Sequence, residues 1–201
     1  MNDEIEVIIE NKKIILVEGL SGVGKSTYIK KRIGNILDNE NTIVMHGDRI
    51  RPYVKENVEQ YFQENKSLLY KTLMTTVEDT MIIDGLIHTT EYDLIGGFEL
   101  SQVELLKYYT ELFREINSSC FLVYVCTKNF EKTIDDTLSE RKDKRKDWLE
   151  GMKSFLEISP LAKQNRWIGE EGIKSFLKYI NGYNEYLYDN LCLNKQKYMR
   201  E

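Results

Sequence analysis

The sequence holds little cysteine, no long apolar run and no surplus of positive charge, and each shortage removes a class of protein. Its three cysteines, Cys120, Cys126 and Cys192, sit at no metal-binding spacing, and their odd number fits unpaired thiols in a reducing compartment. No apolar stretch approaches the roughly 20 residues that a membrane-spanning helix needs. The opening MNDEIEVIIENKK is acidic and lacks the basic and apolar regions of a signal peptide. These features read as a cytoplasmic protein with no membrane partner. A formal net charge of −5 argues against a nucleic-acid partner, because phosphate backbones call for basic surfaces. What is present is a globular balance, with 41% of the 201 residues hydrophobic and 30% charged. That length suits one α/β domain with a proper core. No repeat or low-complexity linker divides it, so residues 1–201 are read as one unit. Oligomeric state is not written in these features, and a homodimer stays open.

Patterning supplies the elements. KKIILVEG is a short apolar run ending in glycine, as expected of a buried strand feeding a loop. From Ser26 to Leu37 the apolar residues Tyr28, Ile29, Ile33, Ile36 and Leu37 keep helical spacing. DNEN reads as a turn, TIVMHGD as a second strand, and Tyr53 to Asp79 as helix broken near Asn65. TMIIDG is a third strand ending in an acid and a glycine. Ser101 and Glu104 have capping-box spacing for a helix running on to Ile116. CFLVYVC is a fourth strand; helix follows from Asn129, then the charged ERKDKRKDW, then more helix interrupted at Pro160 and a long helix from about Glu171 to Asn190. Strands alternating with helices predict a parallel sheet covered on both faces, with ligands at the carboxyl ends of its strands.

The chemistry gathers at those ends. In VEGLSGVGKST, Gly19, Gly24, Lys25 and Ser26 fit G-x-x-x-x-G-K-[ST], a loop whose backbone N–H groups cradle phosphates. Gly19, Ser21, Gly22, Val23, Gly24, Lys25, Ser26 and Thr27 are the candidate nucleotide-binding residues. Lys25 would reach the β- and γ-phosphates, and the Ser26 hydroxyl would ligate Mg²⁺. Asp84, at the end of the third strand, is either the metal's carboxylate partner or a turn cap. GDRIRP puts Asp48, Arg49 and Arg51 after the second strand. Asp48 suits proton acceptance, and the arginines suit fork-like contact with an acceptor; a surface ion-pair cluster is the plainer alternative. Arg141 and Arg145 are four apart, so on a helix they share a face and could close over a transferring phosphoryl group, although charge runs are often simply solvated. His88 is either a substrate donor or a satisfied polar group near a turn. Tyr53, Phe62, Tyr92 and Phe98 are stacking candidates for a flat substrate, with core packing as the default.

EGLSGVGKST, together with these acids and arginines, resembles the small P-loop kinases related to thymidylate kinases and deoxynucleoside kinases. The resemblance implies a three-layer α/β/α fold with a mostly parallel sheet of four to five strands, and ATP with Mg²⁺ as cofactors. It implies that Asp48 contacts or activates the phosphate acceptor and that Asp84 ends the third strand. SERKDKRKDW matches the arginine-rich lid, about residues 139–150, ahead of a helical part at about 147–192. Two departures stand out. Gly85 takes the place where these kinases often carry an arginine. The ending NLCLNKQKYMRE offers no more than a stub of a fifth strand near Leu191 to Leu193. SPLAKQNRWIGEEG is similar to uncharacterised bacterial relatives, so the small-molecule acceptor need not be a nucleotide. A GTPase is excluded because Phe130 stands where the guanine-reading N-K-x-D segment needs its aspartate. The expectation is an ATP-dependent phosphotransferase acting on a nucleoside or nucleoside monophosphate. A kinase for another metabolite or an antibiotic, and a nucleotide sensor with little turnover, are the alternatives.

Overall fold

Alternate residues of the first strand face opposite ways, and this places the sheet at the centre of the molecule. Ile14 and Leu16 enter one apolar cluster, and Ile15 and Val17 enter the other. The computed structural model describes residues 14–34, 42–53, 56–75 and 80–200. The DNEN turn, the opening acidic segment and the expected helical positions Ile36 and Leu37 lie outside these residues. The strands are β1 (Ile14–Glu18), β2 (Thr42–His46), β3 (Thr80–Asp84), β4 (Cys120–Thr127) and β5 (Asn194–Arg200). They form one five-stranded sheet in the order β2-β3-β1-β4-β5, with every pairing parallel. From β1 the chain builds first to one side and later to the other, so the switch point where ligands settle lies beside β1.

Helices cover both faces. On one side lies α1 (Lys25–Tyr28), which runs on as a π-helical turn through Ile33 and buries Tyr28, Ile29 and Ile33. The other side carries the larger core, built on α2 (Val58–Met74), α3 (Leu86–Glu91), α4 (Gln102–Phe113), α5 (Phe130–Lys144), α6 (Lys146–Ile158), α7 (Pro160–Asn165) and α8 (Gly169–Asn190). α3 also continues as a π-helical turn, Tyr92–Gly97. The fold is therefore a three-layer α/β/α sandwich. Local signals account for several boundaries. Ser101 and Glu104 form both halves of the capping box on α4. The Ser159 hydroxyl caps α7, with Pro160 in its first turn. Asn129 spends its side-chain oxygen on the Lys132 N–H at the start of α5, 3.1 Å away.

Two expectations need correcting. The fifth strand is a full seven-residue strand, Asn194–Arg200, not a stub at Leu191–Leu193. It sits at the sheet edge, where polar residues such as Asn194, Lys197 and Arg200 stay exposed, so it carries no apolar run to announce it. Nor does α2 break at Asn65. That side chain is fully buried and donates to the Ile50 carbonyl at 2.7 Å, and its amide oxygen accepts from the Tyr108 hydroxyl at 2.9 Å. A polar residue that usually weakens a helix is here satisfied from both sides.

Candidate active site

The loop leaving β1 turns on glycines: Gly19, Gly22 and Gly24 have φ of 133°, 82° and 103°. At Gly22 any side chain would strike Thr137, whose Oγ1 lies 1.8 Å from where a Cβ would stand, so α5 is packed directly on the loop. Val23 anchors the loop by burying its side chain in the smaller core. Gly22, Gly24, Ser26 and Thr27 line an open cleft of about 810 Å³. Lys25 folds back so that its ammonium donates to the carbonyls of Gly19 (2.7 Å) and Leu20 (3.2 Å). Burial lowers its pKa, and the carboxylates of Asp84 and Glu18 oppose that shift.

The Ser26 hydroxyl donates to Asp84 Oδ2 at 2.7 Å. Asp84 Oδ1 is buried and has no hydrogen-bond partner among the described residues. An unmet carboxylate oxygen beside a hydroxyl suits a hard divalent cation. Mg²⁺ is commonly held by one or two protein oxygens, with substrate phosphates and waters completing the shell. No group of three or more His, Cys, Asp or Glu side chains among the described residues could hold a metal by itself.

Across the cleft, β2 delivers His46 and the 3₁₀ turn Gly47–Ile50 delivers Asp48. Their side chains pair at 3.1 Å. The hydrogen bond holds the Asp48 carboxyl below the usual range and raises the His46 imidazole. Arg51 also lines the cleft, and its fork is taken: Nε and Nη2 each donate to Asp93 at 2.7 Å, and the Tyr61 hydroxyl donates to the same carboxylate at 3.0 Å. That pairing drives the Arg51 pKa further up. Arg49 points elsewhere. It is exposed and does not line the cleft. His88 is buried at the cleft wall with Nε2 3.3 Å from the Tyr92 hydroxyl. Burial, reinforced by Lys25 and Arg141, lowers its pKa well below the usual value, so it is neutral at pH 7.

The charged segment forms the far wall. Arg141 Nη2 donates to Ser21 Oγ at 2.8 Å, and its guanidinium lies 4.0 Å above the Trp148 ring. Arg145 occupies the break between α5 and α6 and lines the cleft. Beyond it, α6 turns Trp148, Met152 and Phe155 toward the same space. Of the four aromatic candidates only Tyr92 lines the cleft. Tyr53 is 90% exposed, Phe62 packs on Tyr108, and Phe98 packs on Tyr61.

Sequence reasoning passed over Glu18, His46, Asp93 and the aromatic wall on α6. Glu18 is the last residue of β1, just ahead of the motif, and is 2% exposed. Its carboxyl accepts the N–H groups of Ile87 (2.8 Å) and His88 (3.1 Å), while burial pushes its pKa up to about 7. Gly85 also has its reason here. Its φ is 75°, its carbonyl lies 2.3 Å from where a Gly47 side chain would start, and its own Cβ would stand 3.4 Å from Lys25 Cε. An arginine at this corner would meet backbone strain beside the loop lysine.

The fold has been seen before. The YorR protein from Bacillus subtilis, solved in complex with phosphorylated GDP, superposes with a TM-score of 0.55 at 17% identity, covering 92% of this chain and 85% of that one. This chain shares the overall α/β fold of that protein. A deoxyadenosine kinase from M. mycoides with bound dCTP also matches, with 18% identity over 92% of this chain and 89% of that one and a TM-score of 0.43. No family model and no curated protein matches the sequence. No helix among the described residues is long and apolar enough to cross a membrane.

Proposed function

We propose that this chain is an ATP-dependent kinase that phosphorylates a hydroxyl group of a small flat-ringed acceptor of the nucleoside class. The observation that carries the proposal is the Ser26–Asp84 contact, with its second carboxylate oxygen unmet, directly beside Lys25 on the phosphate loop. Ser26 and Asp84 would hold Mg²⁺, which supplies charge neutralisation for the phosphates. Lys25 would leave its loop carbonyls for the transferring phosphoryl, and Arg141 and Arg145 would meet the same charge from the lid. Asp48, held by His46, would take the proton as the acceptor oxygen forms its bond to the γ-phosphorus and the bond to the leaving diphosphate breaks.

The acceptor side favours a neutral hydroxyl over a monophosphate. The Arg51 guanidinium is already matched by Asp93, and Arg49 lies outside the cleft. Tyr92, Trp148 and Phe155 offer faces for a ring. The test is ADP formation from ATP–Mg²⁺ across nucleosides, nucleoside monophosphates and other hydroxylated metabolites, antibiotics included, with Lys25→Ala as control. Acceptor-dependent ADP that disappears in the control supports the kinase and names its substrate. ATP binding that no acceptor converts into turnover would replace it with a nucleotide sensor.

A further inference from the structure

The strand that the sequence hid ends on the phosphate loop. Arg200 pairs with Thr127 at the carboxyl end of the sheet, and its Nη1 donates to the carbonyls of Val23 (3.3 Å) and Gly22 (3.5 Å). A side chain at Gly24 would begin 3.2 Å from that nitrogen and 3.4 Å from Arg200 Cδ, so the arginine lies flat against the loop. Tyr198, two residues earlier on the same strand face, sets its ring 4.7 Å from that of Tyr28, in the first turn after the loop. β5 therefore touches both the loop and the helix that the loop opens. Arg200 is absent from the cleft lining, whereas Gly22 and Gly24 belong to it.

Peptide planarity converts this contact into an effect on the site. In a trans peptide the carbonyl and the following N–H point in opposite directions. Holding the Val23 carbonyl toward Arg200 thus turns the Gly24 N–H away from it, toward the side on which Gly24 meets the cleft. The cationic donor also polarises that peptide, which strengthens its N–H as a donor. Resting on the phosphate-loop reading above, we propose that Arg200 is a positioning residue for nucleotide binding, fixing the Val23 carbonyl outward so that the Gly24 N–H faces the phosphates.

The test is calorimetric titration of ATP–Mg²⁺ and of inorganic tripolyphosphate–Mg²⁺ into the full chain, its Arg200→Met and Arg200→Lys variants, with thermal unfolding of each free protein. Arg200→Met should weaken both ligands by the same factor, about tenfold, the scale of losing a charge-assisted contact of modest length. Arg200→Lys should recover part of the loss, and unfolding of the free proteins should be unchanged. Binding by Arg200→Met within twofold of wild type would overturn the proposal. So would a loss confined to ATP, which would make Arg200 a contact for the nucleoside part. Equal weakening in both variants together with a lowered melting temperature would reduce the contact to strand stability and overturn it too. If the unaltered protein binds neither ligand, the phosphate-loop reading itself fails and the positioning role falls with it.

Discussion

Replacing Glu18 with glutamine should change how the stability of this protein depends on pH. The carboxyl is 2% exposed and accepts two backbone N–H groups, yet burial outweighs them and raises its pKa from an ordinary 4.5 to about 7. Folding therefore favours the protonated form, while the unfolded chain ionises the group above its ordinary value. The sign follows: the stabilising contribution is intact below pH 4.5 and falls away as pH rises to about 7, beyond which it is flat. Over the whole range the loss is about 3 kcal/mol, of which some 2–3 kcal/mol falls between pH 5 and 8. Glutamine cannot ionise, so Glu18→Gln should gain on wild type by that amount across the interval. The variant also loses one N–H acceptor, an offset of about 1–2 kcal/mol that does not vary with pH. The assay is urea unfolding of both proteins at pH 5, 6, 7 and 8 without nucleotide. In thermal unfolding the full effect corresponds to about 6–12 °C for a chain of this size. Stability curves that run parallel from pH 5 to 8 would refute the reasoning.

Other outcomes follow from single contacts. Asp93→Ala strips the partner from Arg51 and from the buried Tyr61 hydroxyl, so urea unfolding should show a loss of about 3 kcal/mol; less than 1 kcal/mol would mean the pair is not structural. Arg141→Met, in a Trp167→Phe background, should shift Trp148 fluorescence and lower turnover about a hundredfold with little change in ATP affinity; unaltered emission would place the guanidinium elsewhere in solution. Gly85→Arg should cost about 1–2 kcal/mol in equilibrium unfolding because φ is 75°, and a neutral result would show that the corner can relax.

The glycine turn after β1 was legible because its requirements are local: glycines for the turn, a lysine and a serine at fixed offsets, a strand before and a helix after. The capping box of α4 was readable for the same reason. The sheet followed from apolar runs, and β5 escaped because an edge strand with exposed polar residues needs none. Asn65 was misread because its two partners, the Ile50 carbonyl and the Tyr108 hydroxyl, lie 15 and 43 residues away. Asp93, Glu18 and the α6 aromatics were hidden alike. Their roles arise from packing between segments, and no spacing along one segment reports them. Arg49 and Arg51 looked equivalent in GDRIRP, yet only Arg51 meets Asp93 and the cleft.

The cleft divides into a part that is costly to alter and a part that is not. On the Asp48 side the turn is tied through Arg51, Asp93, Tyr61, Asn65 and Tyr108 to two helices of the core, so a substitution there is felt throughout the fold. On the α6 side Trp148 supports Arg141 and Phe155 packs on Tyr92 and Phe176, but Gly151 between them is open, and a Cβ there would meet nothing within 4 Å. Alanine there would also relieve the helix of a poor former. The freedom of this fold to vary around the cleft is thus concentrated on the open positions of one helix. A lineage could reshape the cleft from open positions of α6 such as Gly151, while Trp148 stayed beneath Arg141 and the buried face of the helix stayed in the core.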